Sequence, residues 1–385
     1  MNGKVSLAQT AMQQPTNYIA KAKRRIRLAG FYLATITVGM IMAIMAGELL
    51  VRSVVPSEQL WVVGQSNIYQ AVGASAIGYT YRPDLDRMAF GVDLKTNSLG
   101  FRGPEWPLEK TAETFRVVLI GDSHAFGFGV SYADSVGQAL AGILTSAVKR
   151  NVEVLNFGVN GYNSRQESAV LQEYGLRFNP DLVVLMISGN DHEAARWVDD
   201  DGWMYRQRPS TGGWTRSFDK TVNAAEPGEF PRWLRHSHLA LYLGIVRQQL
   251  RDKAGQVHGD ASATASEWPP RVAGTDISEA LEASVYLPVL EMIRTSNAQN
   301  IPTVLGYYAT DADYLRMINR LKSEAGIAVV DLLSLFPEVN SVQELTAKFS
   351  LGWDPHLNSE AHRRWANAFA NVLKDRGYLP VIERQ

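Results

Sequence analysis

Val117-Val118-Leu119-Ile120-Gly121-Asp122-Ser123-His124-Ala125-Phe126-Gly127 is the stretch on which the fold turns. Four aliphatic residues run without alternation into Gly-Asp-Ser, which predicts a strand covered on both faces. Such a strand delivers Ser123 to its carboxyl end, where open α/β sheets place their chemistry. Gly-Asp-Ser alone is a weak signal, since average composition produces it by chance in roughly one chain in ten of this length. Its weight comes from three segments that follow in order.

Val154-Leu155-Asn156-Phe157-Gly158-Val159-Asn160-Gly161 predicts a second short strand that ends in glycines. Asp181-Leu182-Val183-Val184-Leu185-Met186-Ile187-Ser188-Gly189-Asn190-Asp191 predicts a third, ending in Gly-Asn-Asp. Near the carboxyl end lies Trp353-Asp354-Pro355-His356-Leu357-Asn358, followed by a helical Ser359–Lys374. A serine hydroxyl becomes a competent nucleophile when an adjacent base removes its proton, and His356 is the candidate base. Asp354 is the candidate partner that holds the imidazole in the productive tautomer.

These four blocks together resemble the SGNH (GDSL-type) hydrolases, and the resemblance covers roughly residues 116–375. It implies an α/β fold: a three-layer α/β/α, flavodoxin-like domain with a parallel sheet. It also implies an oxyanion hole made by the backbone N–H of Ser123, the N–H of Gly161 and the side-chain amide of Asn190. Gly161 is preferred to Gly158 because the family's oxyanion glycine stands five residues after the block-two asparagine, here Asn156. Gly158 then serves the strand-to-loop turn. One departure stands out: the family usually sets the aspartate three residues before the histidine, and here that place is Trp353. Asp354, two residues back, is the nearby acid; were it to point away, Ser123 and His356 would form a dyad.

Taken singly, these residue types also have structural uses. Ser123, Asn190 and Asp191 are helix-capping types, and a turn with positive φ calls for a glycine such as Gly161. Asp122 and Asp191 read as structural support. His124, beside the nucleophile, matches no role that the resemblance implies; it is a wall of the site, a substrate contact or neither. Arg102 closes Asn97-Ser98-Leu99-Gly100-Phe101-Arg102, a segment that resembles the lead-in of membrane-anchored relatives; it is a substrate contact or a loop salt bridge. His362 is packing or surface. His236, His238 and His258 have no metal-ligand spacing, and neither a metal nor any other cofactor is expected.

Leu28 to Gly47 is a run of 20 positions without a charge, long enough for ~30 Å of helix across a bilayer core. Residues 1–27 carry Lys4, Lys21, Lys23, Arg24, Arg25 and Arg27 and no acid. That asymmetry predicts a cytoplasmic amino terminus (1–27), a single transmembrane anchor (28–51) in the cytoplasmic membrane and an extracytoplasmic remainder. The long basic region and the absence of an Ala-x-Ala site favour an uncleaved anchor over a signal peptide.

The 385 residues allow one sizeable domain with accessories, and a formal net charge of −1 gives no reason to expect a nucleic-acid partner. The chain has no cysteine, which excludes disulfides and thiolate chemistry. Residues 52–115 read as a lead-in and 116–380 as the hydrolase domain, with further strands at Thr303–Tyr308 and Ala328–Leu332. Residues 192–276 interrupt the strand–helix rhythm and hold five of the nine tryptophans, among them Trp197 and Trp203. Placed directly after Asn190, this insertion is suited to a lid or substrate wall, with tryptophan faces for sugars or acyl chains, or to a satellite core.

The expected activity is hydrolysis of acyl esters, O-acetyl above all, on cell-envelope or exported polysaccharide. The same triad serves an O-acyltransferase, and the fold also serves a non-catalytic polysaccharide-binding or assembly subunit. Partners are the membrane and an acylated carbohydrate or other ester; the residues do not specify an oligomeric state.

Overall fold

The computed structural model describes residues 5–55, 68–73, 75–198, 204–205, 237–240, 242–243, 246, 268–352 and 354–380. Helix α1, Val5–Val54, precedes the folded domain. Its segment Lys23–Val54 is long and apolar enough to cross a bilayer, and a signal sequence meets the same criterion.

The domain is built on five parallel strands: β5 (Thr114–Gly121), β6 (Asn151–Asn156), β7 (Leu182–Ser188), β10 (Thr303–Tyr308) and β11 (Ala328–Asp331). Their order in space is β11-β10-β7-β5-β6. All eight residues of β5 are buried, which is why the sequence there does not alternate. Successive side chains instead enter two different cores. Val118 and Ile120 pack with Val170 and Leu171 of α4 (Ser164–Glu173), with Val289 of α5 (Leu287–Ala298) and with Leu315 of α6 (Ala312–Ala325). Val117 and Leu119 pack on the other face with Leu140 of α3 (Val136–Val148), Phe349 of α7 (Val342–Phe349), and Trp365 and Phe369 of α8 (Ser359–Asp375). The result is the three-layer α/β/α arrangement, and the strand order is flavodoxin-like.

That order fixes where chemistry can occur. β5 pairs with β6 on one side and with β7 on the other, so the direction of winding reverses at β5. A crevice opens at such a reversal, outside the strands' carboxyl ends. Gly121 stands beside Met186 in the β5–β7 ladder, and a Cβ at Gly121 would lie 2.6 Å from the Met186 carbonyl oxygen. The two chains can diverge into their loops this tightly because residue 121 has no side chain.

The lead-in belongs to this core. Strands β1 (Tyr69–Ala71) and β2 (Tyr79–Tyr81) form one antiparallel pair, and β3 (Asp86–Ala89) and β4 (Val92–Lys95) a second. Tyr79, Tyr81, Phe90 and Phe101 are buried in the same core as Val118 and Ile120. Of the insertion, the short strands β8 (Trp197–Val198) and β9 (Met204–Tyr205) pair with each other.

Two glycines test this account with opposite signs. Gly142 lies inside α3 with open space where a Cβ would be, whereas a Cβ on Gly158 would lie 2.4 Å from the Phe126 backbone nitrogen. Gly142→Ala is expected to stabilise the chain by about 0.5–1 kcal/mol in thermal or urea unfolding. Gly158→Ala is expected to destabilise it by about 1–3 kcal/mol, because backbone cannot move aside as a side chain can.

Candidate active site

Asp122 ends the turn that follows β5. Its Oδ1 accepts the His124 backbone N–H at 2.9 Å, which caps the single-turn helix α2 (Ser123–Phe126) and sets Ser123 at its first position. Gly127, in left-handed conformation, closes that turn. Ser123 thus stands at the carboxyl end of β5, where the sequence predicts it.

His356 arrives from the loop between α7 and α8. Its Nε2 lies 2.8 Å from Ser123 Oγ, and its Nδ1 lies 2.5 Å from Asp354 Oδ1. The Asp354 side chain is 2% exposed, and its Oδ1 also accepts the His356 backbone N–H at 2.9 Å. A buried carboxylate at Nδ1 fixes the proton there and leaves Nε2 as the acceptor for the serine hydroxyl. The two-residue spacing therefore does bring the acid to the imidazole. Phe128 stacks on the His356 ring at 4.3 Å between centroids and limits its rotation.

Gly161 adopts φ +72° in the loop after β6, and Asn190 follows β7. Asn190 Oδ1 accepts a hydrogen bond from Ser188 Oγ at 2.6 Å, which leaves the amide nitrogen for another partner. Among the described residues no acceptor engages the Ser123 or Gly161 N–H or the Asn190 amide nitrogen. Asn156 ties two of these loops together. Its Nδ2 donates to the Ala125 carbonyl at 2.7 Å, and its Oδ1 accepts from the Gly158 N–H at 2.9 Å. Gly158 is thus the glycine of close backbone approach, pressed against α2.

The sequence profile of the GDSL-like Lipase/Acylhydrolase family matches residues 119–364, well over half of the chain. The chain belongs to that family. No curated protein matches it at a significant level. Among solved structures it is similar to the lipase/acylhydrolase from Enterococcus faecalis, at 12% identity over 70% of this chain and 100% of that one, with a TM-score of 0.39. It is similar to a catalytic mutant of Axe2, an acetylxylan esterase from Geobacillus stearothermophilus, at 14% identity over 71% and 99% of the two chains, with a TM-score of 0.36. The psychrotrophic esterase EstA from Pseudoalteromonas sp. is similar at 11% identity over 68% and 97%, with a TM-score of 0.35. Membership implies hydrolase chemistry on esters.

In this family member, Arg102 does not face the crevice. It is 1% exposed and donates to the carbonyls of Phe126 (3.2 Å), Gly127 (2.8 Å) and Val130 (2.8 Å). Neither a substrate contact nor a salt bridge describes it: the guanidinium clamps the loop behind the nucleophile. Burial lowers its pKa to about 10, so it remains a cation at neutral pH. His124 packs against Tyr308 and Trp365 and lies 5.5 Å, ring to ring, from His356. Burial lowers its pKa to about 4, and it is a neutral wall at physiological pH. His362 is buried and accepts the Val136 N–H at 3.2 Å, the packing role rather than the surface one. The backbone of Trp197 lies in β8, while Trp203 lies outside the described residues. Among the described residues no group of His, Asp and Glu is arranged to hold a metal.

Several supporting residues were not singled out in the sequence. Tyr79 donates to the Asn160 carbonyl at 2.8 Å, Tyr81 accepts the Asn160 N–H at 3.3 Å, and the Tyr162 hydroxyl donates to the Tyr79 carbonyl. The lead-in therefore holds the loop that carries Gly161. Ser188 Oγ stands among Asp122 Oδ2 (2.9 Å), Asn190 Oδ1 (2.6 Å) and Asp191 Oδ1 (3.0 Å). Glu167, in the first turn of α4, is buried with one carboxyl oxygen lacking a hydrogen bond. Desolvation, and then repulsion from Asp191 and Asp122, holds Glu167 protonated well above the usual carboxylate range. Asn160 and Ser188 had a local signal in their position within the motif-bearing segments; Tyr79, Tyr81, Tyr162 and Glu167 had none.

Glu167 gives a pH-dependent prediction. Below its ordinary pKa of 4.5 the group is neutral in both the folded and unfolded states. Above it the unfolded state ionises first, so folding stability falls as pH rises toward the raised native value. Glu167→Gln, neutral at every pH, is expected to raise Tm at pH 8 by ~2 °C or more, about 1 kcal/mol for a domain of this size. The gap should close as the pH approaches 4.5 in a series of thermal scans. An equal gap at both ends would show that burial does not perturb this carboxyl.

Proposed function

We propose that this protein is a serine esterase held at the cytoplasmic membrane by α1, with its hydrolase domain on the extracytoplasmic side, acting on acyl esters of carbohydrate. O-acetyl groups on cell-envelope or exported polysaccharide are the favoured substrates. The observation that carries the reading is the unbroken line from Ser123 Oγ to His356 Nε2 and from His356 Nδ1 to Asp354 Oδ1. Six basic residues before an uncharged run of 20 support the orientation, and that orientation supports an envelope substrate.

Ser123 Oγ attacks the ester carbonyl while Nε2 of His356 takes its proton. Asp354 stabilises the imidazolium that forms. The carbonyl oxygen becomes an oxyanion bound by the N–H groups of Ser123 and Gly161 and by the Asn190 amide. Collapse breaks the bond to the sugar oxygen, which leaves with the proton held by His356. Water then gives a proton to His356 as it attacks the acyl carbonyl, and collapse frees the acid while His356 returns that proton to the departing Ser123 Oγ.

The test is hydrolysis of a chromogenic acetyl ester by the full chain in detergent. Ser123→Ala and His356→Ala are expected to lower kcat by ~10⁴–10⁶-fold. Asp354→Asn should cost ~10⁴-fold through the wrong tautomer, and Asn190→Ala ~10²–10³-fold. A folded wild type that neither turns over nor accepts a fluorophosphonate at Ser123 would overturn the reading in favour of a binding subunit. Labelling without turnover would point to acyl transfer that awaits its acceptor.

A further inference from the structure

Among the described residues, the insertion meets α1 around Glu48. Along the run 28–47 the residues are exposed except at its end, where Gly47 and the following Glu48 are partly covered, and Val51 is buried. The Glu48 carboxylate accepts from Ser237 Oγ at 2.8 Å, from the His238 N–H at 2.9 Å and from the Leu239 N–H at 3.0 Å. Arg52, one turn further on, donates to it at 2.8 Å. Leu239 packs where a side chain on Gly47 would lie, 3.0 Å from the position of a Cβ. His238, Leu239 and Ala240 are helical, as are Tyr242, Leu243 and Val246. A glutamate at the end of the span thus caps a helical segment of the insertion.

The depth of this junction follows from geometry. Counted at ~1.5 Å per residue from Leu28, the uncharged run reaches the far edge of a ~30 Å hydrocarbon core at Gly47. A carboxylate there is tolerable because four donors satisfy it. Leu239, Tyr242, Leu243 and Val246 are each helical and follow a spacing of i, i+3, i+4 and i+7, the pattern of an amphipathic face. Tyr242 is 36% exposed and Leu243 55% exposed; on α1, Leu49 is 66% and Leu50 62% exposed. In the sequence Arg247 and Arg251 come next. Apolar residues on one face, a tyrosine, and basic residues nearby are the features of an interfacial helix.

We infer that this segment of the insertion is a second membrane-contacting element, with lipid at the outer boundary of the bilayer as the occupant of its Leu239–Val246 face. The inference rests on the reading of α1 as a retained span. The depth of the junction, at the end of the uncharged run, selects lipid over a protein partner.

The chain has no native cysteine, so one introduced thiol carries one spin label. Full-length Leu243→Cys, Ile36→Cys and Lys374→Cys, spin-labelled and reconstituted in phosphatidylethanolamine/phosphatidylglycerol vesicles, are compared for collision with oxygen and with a water-soluble nickel chelate. The label at 243 is expected to favour oxygen several-fold, as at 36 within the span, while the label on exposed Lys374 favours the chelate. Adding Glu48→Gln should shift the 243 label toward the chelate. If 36 reads as lipid while 243 reads as water, the inference fails and the anchor stands. If 243 is shielded from both reagents, a protein partner or a second copy covers it, and lipid is again excluded. If 36 itself reads as water, the anchor reading fails and takes this one with it.

Discussion

The contact between His356 Nε2 and Ser123 Oγ joins residues 233 positions apart, and the arrangement of the domain serves to make it. A base so remote in sequence is held only if both of its supports are rigid. Ser123 is fixed by the buried β5 and the Asp122 cap. His356 is fixed by a tight loop: the Leu351 N–H donates to the His356 carbonyl at 2.9 Å and the Asn358 N–H to the Phe349 carbonyl at 2.7 Å. Asn358 then caps α8, accepting from the N–H groups of Glu360 and Ala361. The short Asp–His spacing finds its reason here. Asp354 Oδ1 accepts the N–H two residues on, which is an Asx-turn, and Pro355 between them suits the turn's restricted φ. One oxygen thereby binds both the backbone N–H and the imidazole of the same residue.

The nucleophile's surroundings depend in turn on the lead-in. Arg102 satisfies three carbonyls in and after α2 from below, and stacks 4.9 Å from the Phe126 ring centroid. Each carbonyl oxygen carries partial negative charge, so a cation hydrogen-bonded to three of them is favourable without a carboxylate partner. Lysine has no fork with which to reach carbonyls in several directions, which makes this an arginine site. On the other side Tyr79 and Tyr81 hold Asn160, next to Gly161. The segment 68–106 is therefore a wall of the same core and not a tether.

What the sequence made legible was local. The unbroken aliphatics of β5 and β7 announced doubly covered strands, and Thr303–Tyr308 was read to its ends because glycine aside it is apolar or β-prone throughout. Residue types at strand ends placed Ser123 and Asn190, and those just before the last helix placed Asp354 and His356. Direction was not legible. Arg102 reads as surface chemistry in any local window, and only the fold shows that its side chain points under α2. Likewise Glu167 and Ser188 acquire their roles from neighbours on other elements, since burial is a property of the assembled layers and not of a tripeptide.

The buried acids beneath the site show how such a network closes its proton count. Ser188 has one hydroxyl proton and three acceptor oxygens within 3.0 Å, from Asp122, Asn190 and Asp191. It cannot donate to all three. Desolvation, and then repulsion from Asp122, keeps Asp191 protonated well above the ordinary carboxylate range. Its hydroxyl can then donate to Ser188 Oγ, and the serine proton is released to Asn190 or Asp122. With Asn190 Oδ1 engaged in this way, its amide nitrogen is left to face the crevice. Asp122 meanwhile keeps Oδ1 for the His124 N–H that positions the nucleophile's helix. Neutralising one acid thus lets two neighbouring groups act as donors, and the cost of burying these carboxyls is offset by orientation at both sides of the crevice.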